Sequence, residues 1–356
     1  MKHRWTEMER LIFNSSTTVE LRKLRDEFHD ALDAAFPEMA IVDFLNLINS
    51  MHNALIQKTV ELTEKRVRET FGSQPVSSFA FLLFGSGGRM EQTLWSDQDN
   101  GLIFEVADGA DPRLAERYMG VMGDAVIEAL EKVGYPPCEG NVVASNPQWR
   151  KSLPEWRHRM REWVREPAFE KVRHLLILAD ARVVYGNPVL LSDLHEEYKR
   201  LLAGAPEILS RMVQNTLRYK MLIGFLGNLL TEPYGEDAGG VDIKYGAYIP
   251  MVNAIRLLSL KYRIFESPTL ERIRKLKSCE GISEEMAHDW DTAFRSVLKF
   301  RSMTPFQMKD GKFSSRGILS AGMLTKEVKR ELKQTVRVGA ELQKFVKRSI
   351  GTEGHL

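Results

Sequence analysis

The chain has 356 residues, 43% hydrophobic and 28% charged, a composition that suits a folded protein of two or three domains and excludes a disordered one. Its 50 basic and 48 acidic residues leave a net charge of +2, so no overall field argues for nucleic acid or a membrane surface as a partner. Two cysteines, Cys138 and Cys279, supply neither a disulfide framework nor zinc-ligand spacing, which fits a reducing cytoplasm. The N-terminal MKHRWTEMER lacks the apolar core of a signal peptide, and runs such as Phe79 to Phe84 are too short to span a bilayer.

Residues 6–71 are expected to be largely helical, because Leu21, Leu24, Phe28 and Leu32 repeat at helical spacing, as do Leu45, Ile48, Met51 and Leu55. Pro37 separates two helices, and Gly72-Ser73-Gln74-Pro75 closes the segment. Phe79 to Phe84 is a continuous apolar run, the pattern of a strand covered on both faces. Gly85 then permits a sharp turn, and Ser86, Gly87 and Gly88 leave amides exposed at the start of a short helix, an arrangement that favours phosphate. Ser86 reads equally as a helix N-cap. Asp97 and Asp99 stand at the mouth of a second strand, Asn100 to Phe104. On an extended chain the i and i+2 side chains share a face, so both carboxylates point to one spot. They repel unless a cation lies between them, and hard oxygen ligands suit magnesium.

Beyond that strand, Leu114 to Val133 reads as an amphipathic helix ended by Gly134, and the apolar part of Tyr135 to Ala144 as a third strand. Trp149 to Trp163 and Phe169 to Leu178 read as helices, with Pro154 and Pro167 as breakers; Asp180 to Tyr185 fits a helix end or a strand. Trp149, Trp156 and Trp163 recur every seven residues among arginines, which reads as a helix burying one tryptophan edge rather than as a nucleic-acid stacking surface. After Gly186-Asn187-Pro188, helices are expected near Val189 to Leu202, Pro206 to Leu230, Ala247 to Phe265, Glu284 to Met303 and Thr325 to Ser349. A loop, Gly239 to Gly246, carries GGVDIKYG. The pattern is a small α/β core between two helical parts.

GS, ten residues, then DxD resembles the signature of the DNA polymerase β nucleotidyltransferase superfamily. The fuller GSGGRMEQTLWSDQDNGLI closely resembles bacterial nucleotidyltransferases of unassigned substrate that are related to the N-terminal domain of the protein-PII uridylyltransferase. VDIKYGAYIPMVNAIRLLSL, SPTLERIRKL and AFRSVLKFR are similar to the helical substrate-binding domain of that family, and SNPQWRKSLPEW and DARVVYG also match its pattern. The resemblance covers most of residues 76–345. It implies an α+β fold: a small mixed-sheet polymerase-β-type core over 75–188, an N-terminal helical segment over 1–74, and a C-terminal helical substrate-binding domain over 189–356.

The resemblance also implies Mg²⁺-dependent transfer of a nucleoside monophosphate from a nucleoside triphosphate to a hydroxyl, with two magnesium ions. The acceptor is a protein or a small molecule, and uridylylation of a PII-like regulatory protein, a signal-transduction role, is the most specific expectation. No nucleic-acid or membrane partner and no removal of the nucleotide are expected. Asp97 and Asp99 are then the metal ligands and catalytic acids, and Gly85 and Ser86 seat the β- and γ-phosphates. Arg89 adds a cation against the triphosphate or is a surface arginine, while Glu91 and Gln92 stabilise the loop. A third catalytic carboxylate is Asp180, or Glu139, or absent. Lys244 touches a phosphate or the acceptor, or stands in solvent beside a cap made by Asp242, and Arg256 is a weaker candidate of the same kind. His29-Asp30 and His288-Asp289 read as helix-surface dipeptides without metal. The rival expectations are a catalytically weak nucleotide-sensing or protein-interaction module, and a transferase acting on a small antibiotic-type molecule.

Overall fold

The computed structural model of the chain describes residues 2–72, 74–216, 221, 222, 224, 228–305, 307–309, 312–314 and 317–351. Its α+β architecture falls into two compact units. One comprises Met1–Glu162 with Asp180–Tyr198, the other Trp163–Ala179 with Lys199–Leu356.

The first unit opens with helices α1 (Lys2–Asn14), α2 (Thr18–Ala35) and α3 (Ile41–Phe71). A capping box starts α2: the Thr17 hydroxyl accepts from the Glu20 amide, and the Glu20 carboxylate accepts from the Thr17 amide. Pro37 sits in the 3₁₀ turn Phe36–Glu38 that separates α2 from α3, and α3 ends where Gly72 turns left-handed at φ 73°. Leu21, Phe28, Leu32, Ile48, Met51 and Leu55 are buried, as their periodicity predicts.

Strands β1 (Val76–Leu83) and β2 (Asn100–Val106) run antiparallel, with Phe79 opposite Phe104 and Leu83 opposite Asn100. Between them lies α4 (Gly85–Gly88), a single turn. After α5 (Pro112–Val133), β3 (Arg150–Ser152) lies parallel to β2 and leads directly into α6 (Leu153–Arg165). The chain passes through α7 (Phe169–Leu178), and β4 (Arg182–Gly186) then joins β1 antiparallel, before α8 (Val189–Gly204). The mixed sheet has the order β3-β2-β1-β4. β1 is central and apolar on both faces, which is why its run is continuous.

The third strand is not where the apolar run suggested. Val142, Val143 and Ala144 are buried in turns, tied by the Asn100 amide donating to Val142 O and by the Ala144 amide donating to Asn100 Oδ1; the strand is the polar trio Arg150–Ser152. Asp180 to Tyr185 resolves as strand from Arg182 onward. Trp149, Trp156 and Trp163 are all buried, and Trp156 Nε1 donates to Leu102 O at 3.0 Å, so none offers a ring for base stacking.

The second unit is mainly helical: α7, α9 (Glu207–Thr216), α10 (Ile249–Lys261), α11 (Thr269–Ser278), α12 (Glu284–Ser302) and α13 (Lys326–Gly351). Two small ladders interrupt it, β5 (Val241–Asp242) with β8 (Ile318–Leu319), and the pair β6 (Gln307–Lys309) with β7 (Lys312–Ser314). α10 is buried on every side from Pro250 to Leu260 and packs against α9, α11 and α13, so a helix apolar all round is the core of this unit. Of the helix expected over Pro206 to Leu230, Glu207–Thr216 is helical, and 217–220, 223 and 225–227 lie outside the described residues. Among the described residues, no helix is long and apolar enough to cross a membrane.

Candidate active site

The site begins where β1 ends. Phe84 is extended, and Gly85 turns left-handed at φ 51°. A Cβ on Gly85 would fall 2.3 Å from Asp99 Oδ2, so the Asp99 carboxylate rests directly on the glycine. Both the dihedral and this close approach require glycine. The first bond of the turn runs from the Gly88 amide to Phe84 O at 2.7 Å, which places the Gly85, Ser86 and Gly87 amides ahead of it. Ser86 lies inside the turn and does not cap it; Phe84 holds the N-cap position, without a side-chain bond.

The acids lie on the lead-in to β2, and their neighbours explain how they are held. Exposure alternates: Asp97 is exposed, Gln98 buried, Asp99 half-buried and Asn100 buried. Gln98 Nε2 donates to Tyr135 O (2.7 Å) and Ile127 O (3.2 Å), and Asn100 Nδ2 donates to Gln98 Oε1 (3.1 Å). The buried amides thus fasten the segment, and the two carboxylates project from its opposite face. The Phe84 amide donates to Asp99 O at 2.9 Å, tying the acid segment to the turn. A small crevice here is lined by Asp97 and Asp99 together with Gly87, Gln92, Gln98 and Asn100.

Cys138 stands beside the acids. Burial and the neighbouring Asp99 carboxylate push its thiol up to about 12, so it stays protonated at neutral pH. Glu139, one of the two acids considered as a third carboxylate, is exposed on the next position. Among the described residues, no three His, Cys, Asp or Glu side chains group to hold a metal. Asp97 and Asp99 offer a pair of carboxylate oxygens beside the turn. This pair fits a magnesium ion whose other ligands are substrate phosphates and water.

Beneath the turn lies a buried ion cluster. Arg89 is 4% exposed; its Nε donates to Glu91 Oε2 (2.8 Å) and its Nη1 to Asp180 Oδ2 (2.5 Å). Asp180 is 1% exposed. A Cβ on Gly88 would fall 2.0 Å from Asp180 O, so the turn sits hard against this residue. Arg182 donates from Nη2 to Gly87 O (2.9 Å) and from Nε to Gly88 O (3.2 Å), gathering the carbonyls at the far end of the turn. Burial pulls its guanidinium down to about 10, still a cation at neutral pH.

Two family profiles match the chain in succession. The first, "Putative nucleotidyltransferase DUF294", matches residues 22–170. The second, "Putative nucleotidyltransferase substrate binding domain", matches residues 206–350. The chain belongs to this nucleotidyltransferase family. It therefore carries a nucleotidyltransferase domain followed by the family's substrate-binding domain, and a nucleotide is its substrate class. A comparison with curated proteins finds no match.

Of the sequence-predicted residues, Gly85, Ser86 and Asp99 meet at the turn, and Asp97 lines the same crevice as Gly87 and Asp99. Arg89 and Asp180 form a layer below them. The geometry makes Arg89 the partner of two carboxylates rather than a surface arginine, and makes Asp180 a member of the buried support. Lys244 belongs to the second unit, in a π-helical turn Lys244–Tyr248, with its ammonium 5.3 Å from the Tyr245 ring and its amide donating to Gly317 O. Asp242 precedes that turn, whose N-cap position is Ile243, and its Oδ1 accepts from the Tyr245 amide at 2.8 Å; burial raises its carboxyl. Arg256 is buried, with Nη1 donating to Asn253 Oδ1. His288 is exposed as expected, whereas His29 is buried at 2% against Trp95.

Sequence reasoning missed the residues that hold the site: Gln98 and Asn100 between and after the acids, Arg182 under the turn, and Asn49, His52 and Asn53 on α3. Spacing was a signal for all but Arg182, though it did not name their partners. Gln98 and Asn100 share the i, i+2 spacing of the acids, and Asn49, His52 and Asn53 share one helical face in an otherwise apolar stretch.

Proposed function

We propose that the protein is a Mg²⁺-dependent nucleotidyltransferase that moves a nucleoside monophosphate from a nucleoside triphosphate to a hydroxyl acceptor. The observation that carries this reading is the seating of Asp99 on Gly85, which joins the acid pair and the amide turn into one site. Asp97 and Asp99 hold the metal, and Gly85, Ser86 and Gly87 receive the β- and γ-phosphates through their amides, with the Ser86 hydroxyl. Arg89 and Asp180 keep the turn in shape from below, and Lys244 is a contact for a phosphate or the acceptor. When bound, magnesium supplies charge neutralisation at the phosphates. The acceptor oxygen attacks the α-phosphorus, a new O–P bond forms, the bond to the β-phosphate bridge breaks, and pyrophosphate leaves; the hydroxyl proton passes to water.

The acceptor class we favour is a protein of the PII-like regulatory kind, which would give the enzyme a signalling role in a reducing cytoplasm. The two described cysteines are unpaired, which suits that compartment. The family's substrate-binding domain supports an acceptor site separate from the nucleotide site. A nucleotide-sensing module remains the rival, and the two-carboxylate donor set is what favours it. Incubation with each α-labelled nucleoside triphosphate, Mg²⁺ and cell extract separates the two. Label passed to a macromolecule or small molecule by wild type, and not by an Asp97→Asn/Asp99→Asn variant, identifies base and acceptor. Nucleotide binding without transfer from any of the four would replace the enzyme reading by the sensor.

A further inference from the structure

We propose that one polar face of α3, made by Asn49, His52 and Asn53, is a positioning clamp that holds the acid segment and the glycine turn at their working separation. Its catalytic consequence rests on the transferase reading; its mechanical part stands on contacts alone. The three residues lie at i, i+3 and i+4, a single face of the helix.

Each reaches a different part of the site. Asn49 Oδ1 accepts from the Gln92 amide (3.0 Å), and its Nδ2 donates to Gln92 O (3.3 Å) and to Leu45 O (2.9 Å). Bonding both backbone groups of one residue fixes that peptide as a neighbouring strand would. His52 Nε2 lies 2.9 Å from Thr93 O, which only a ring N–H can satisfy, so Nε2 donates there. Nδ1 then carries the lone pair and accepts from the Tyr135 hydroxyl at 2.8 Å. Tyr135 O in turn accepts from Gln98 Nε2, between the two acids. Asn53 Oδ1 accepts from Arg182 Nη2 at 2.8 Å, and the same nitrogen donates to Gly87 O in the turn.

α2 adds a fourth hold. The Arg25 guanidinium is fully buried, 4.8 Å from the centre of the Trp95 ring and 5.0 Å from that of Tyr135. Gly134, left-handed at φ 107°, makes room for it, since a Cβ there would fall 2.7 Å from Arg25 Nη1. The Gln98 backbone is held by Pro136 O and the Cys138 amide, but Gln92 and Thr93 are buried in irregular chain, so their backbone groups need partners that no strand supplies. The helix supplies them. The α3 side chains bond the frame of the site and not its open face, which makes them positioning residues.

The test uses the full chain with His52→Leu, His52→Gln and Asn49→Leu, read by Mn²⁺ affinity and by amide hydrogen exchange. A glutamine amide can replace the Nε2 donor to Thr93 O, whereas leucine cannot. The clamp expects His52→Leu and Asn49→Leu to weaken Mn²⁺ binding roughly tenfold or more. It also expects faster exchange confined to residues near 90–99, and recovery to within about threefold of wild type in His52→Gln. Unchanged Mn²⁺ affinity, or exchange accelerated equally across β1 and β2, would overturn it in favour of a general stability role. If leucine variants do not fold, Tyr135→Phe removes only the hydroxyl donor and is read the same way. A wild type that binds no Mn²⁺ would sink the metal reading instead; exchange near 90–99 would then decide the clamp alone.

Discussion

Gly85 carries two demands at once, a left-handed φ of 51° and an acid oxygen where its Cβ would be. Gly85→Ala is therefore expected to cost about 1–3 kcal/mol in urea denaturation, and to reduce nucleotide transfer far more than that loss explains, because Asp99 is displaced. A variant with wild-type turnover would show that the acid and the turn act independently. Below the turn, Arg89 is balanced by Glu91 and Asp180 in a nearly water-free setting. Asp180→Asn leaves the shape and removes one charge. We expect a loss of about 3 kcal/mol, the low end for a broken buried pair because Glu91 still faces Arg89. A change under 1 kcal/mol would mean that solvent reaches the pair.

At the level of elements, α2 and α3 explain a pH dependence that a reading of surface histidines would miss. His29 and His52 are buried beside the Arg25 cation; burial is the larger cause, and the arginine charge adds to it. His52 is pushed down to about 3 and His29 also far below its ordinary value, so both are neutral in the folded state. The unfolded chain protonates them near 6.5. Below that pH the unfolded state binds more protons, so stability falls as pH falls, by about 1 kcal/mol per pH unit for each histidine. For His52 the loss runs from about pH 6.5 to about 3. Urea midpoints at pH 7.5, 6.5 and 5.5 check this; a flat series, or one no flatter in His29→Leu, would contradict it. The same two helices mark the limit of what periodicity reveals. The apolar run of β1, the glycine turn and the acid pair were legible because each is a local pattern. His29 was read as surface and Arg25 passed unremarked, since a charged residue on a helix looks solvated until another element covers it. The third strand was misplaced for a related reason: Val142 to Ala144 is buried by long-range bonds to Asn100, while the real edge strand, Arg150–Ser152, has no apolar signal. The acids were visible; the side chains that aim them were not, because their partners lie tens of residues away.

For the whole molecule, the order of the chain matters as much as its two units. The first unit is left at Glu162 and re-entered at Asp180, so Trp163–Ala179 belongs to the second unit although it precedes β4. In that segment Val172, Leu175 and Leu176 are buried, α7 packs on α9, and Asn215 Nδ2 donates to Phe169 O. A fragment ending at Tyr198 would strand this apolar surface. We expect it to aggregate where the full chain stays monodisperse in size-exclusion chromatography, and a well-behaved monomer would refute this. The family assignment gives the molecule its general reaction, and the second matched profile gives it a substrate-binding domain. Central to the proposed function is that the turn at Gly85 and the acids Asp97 and Asp99 form one metal–nucleotide site. The most direct measurement is calorimetric titration of each nucleoside triphosphate into wild type and into Asp97→Asn/Asp99→Asn, with and without Mn²⁺. The account expects binding by wild type that strengthens at least roughly tenfold with the metal, and no metal effect in the variant. Equal affinity and equal metal dependence in both proteins would contradict it.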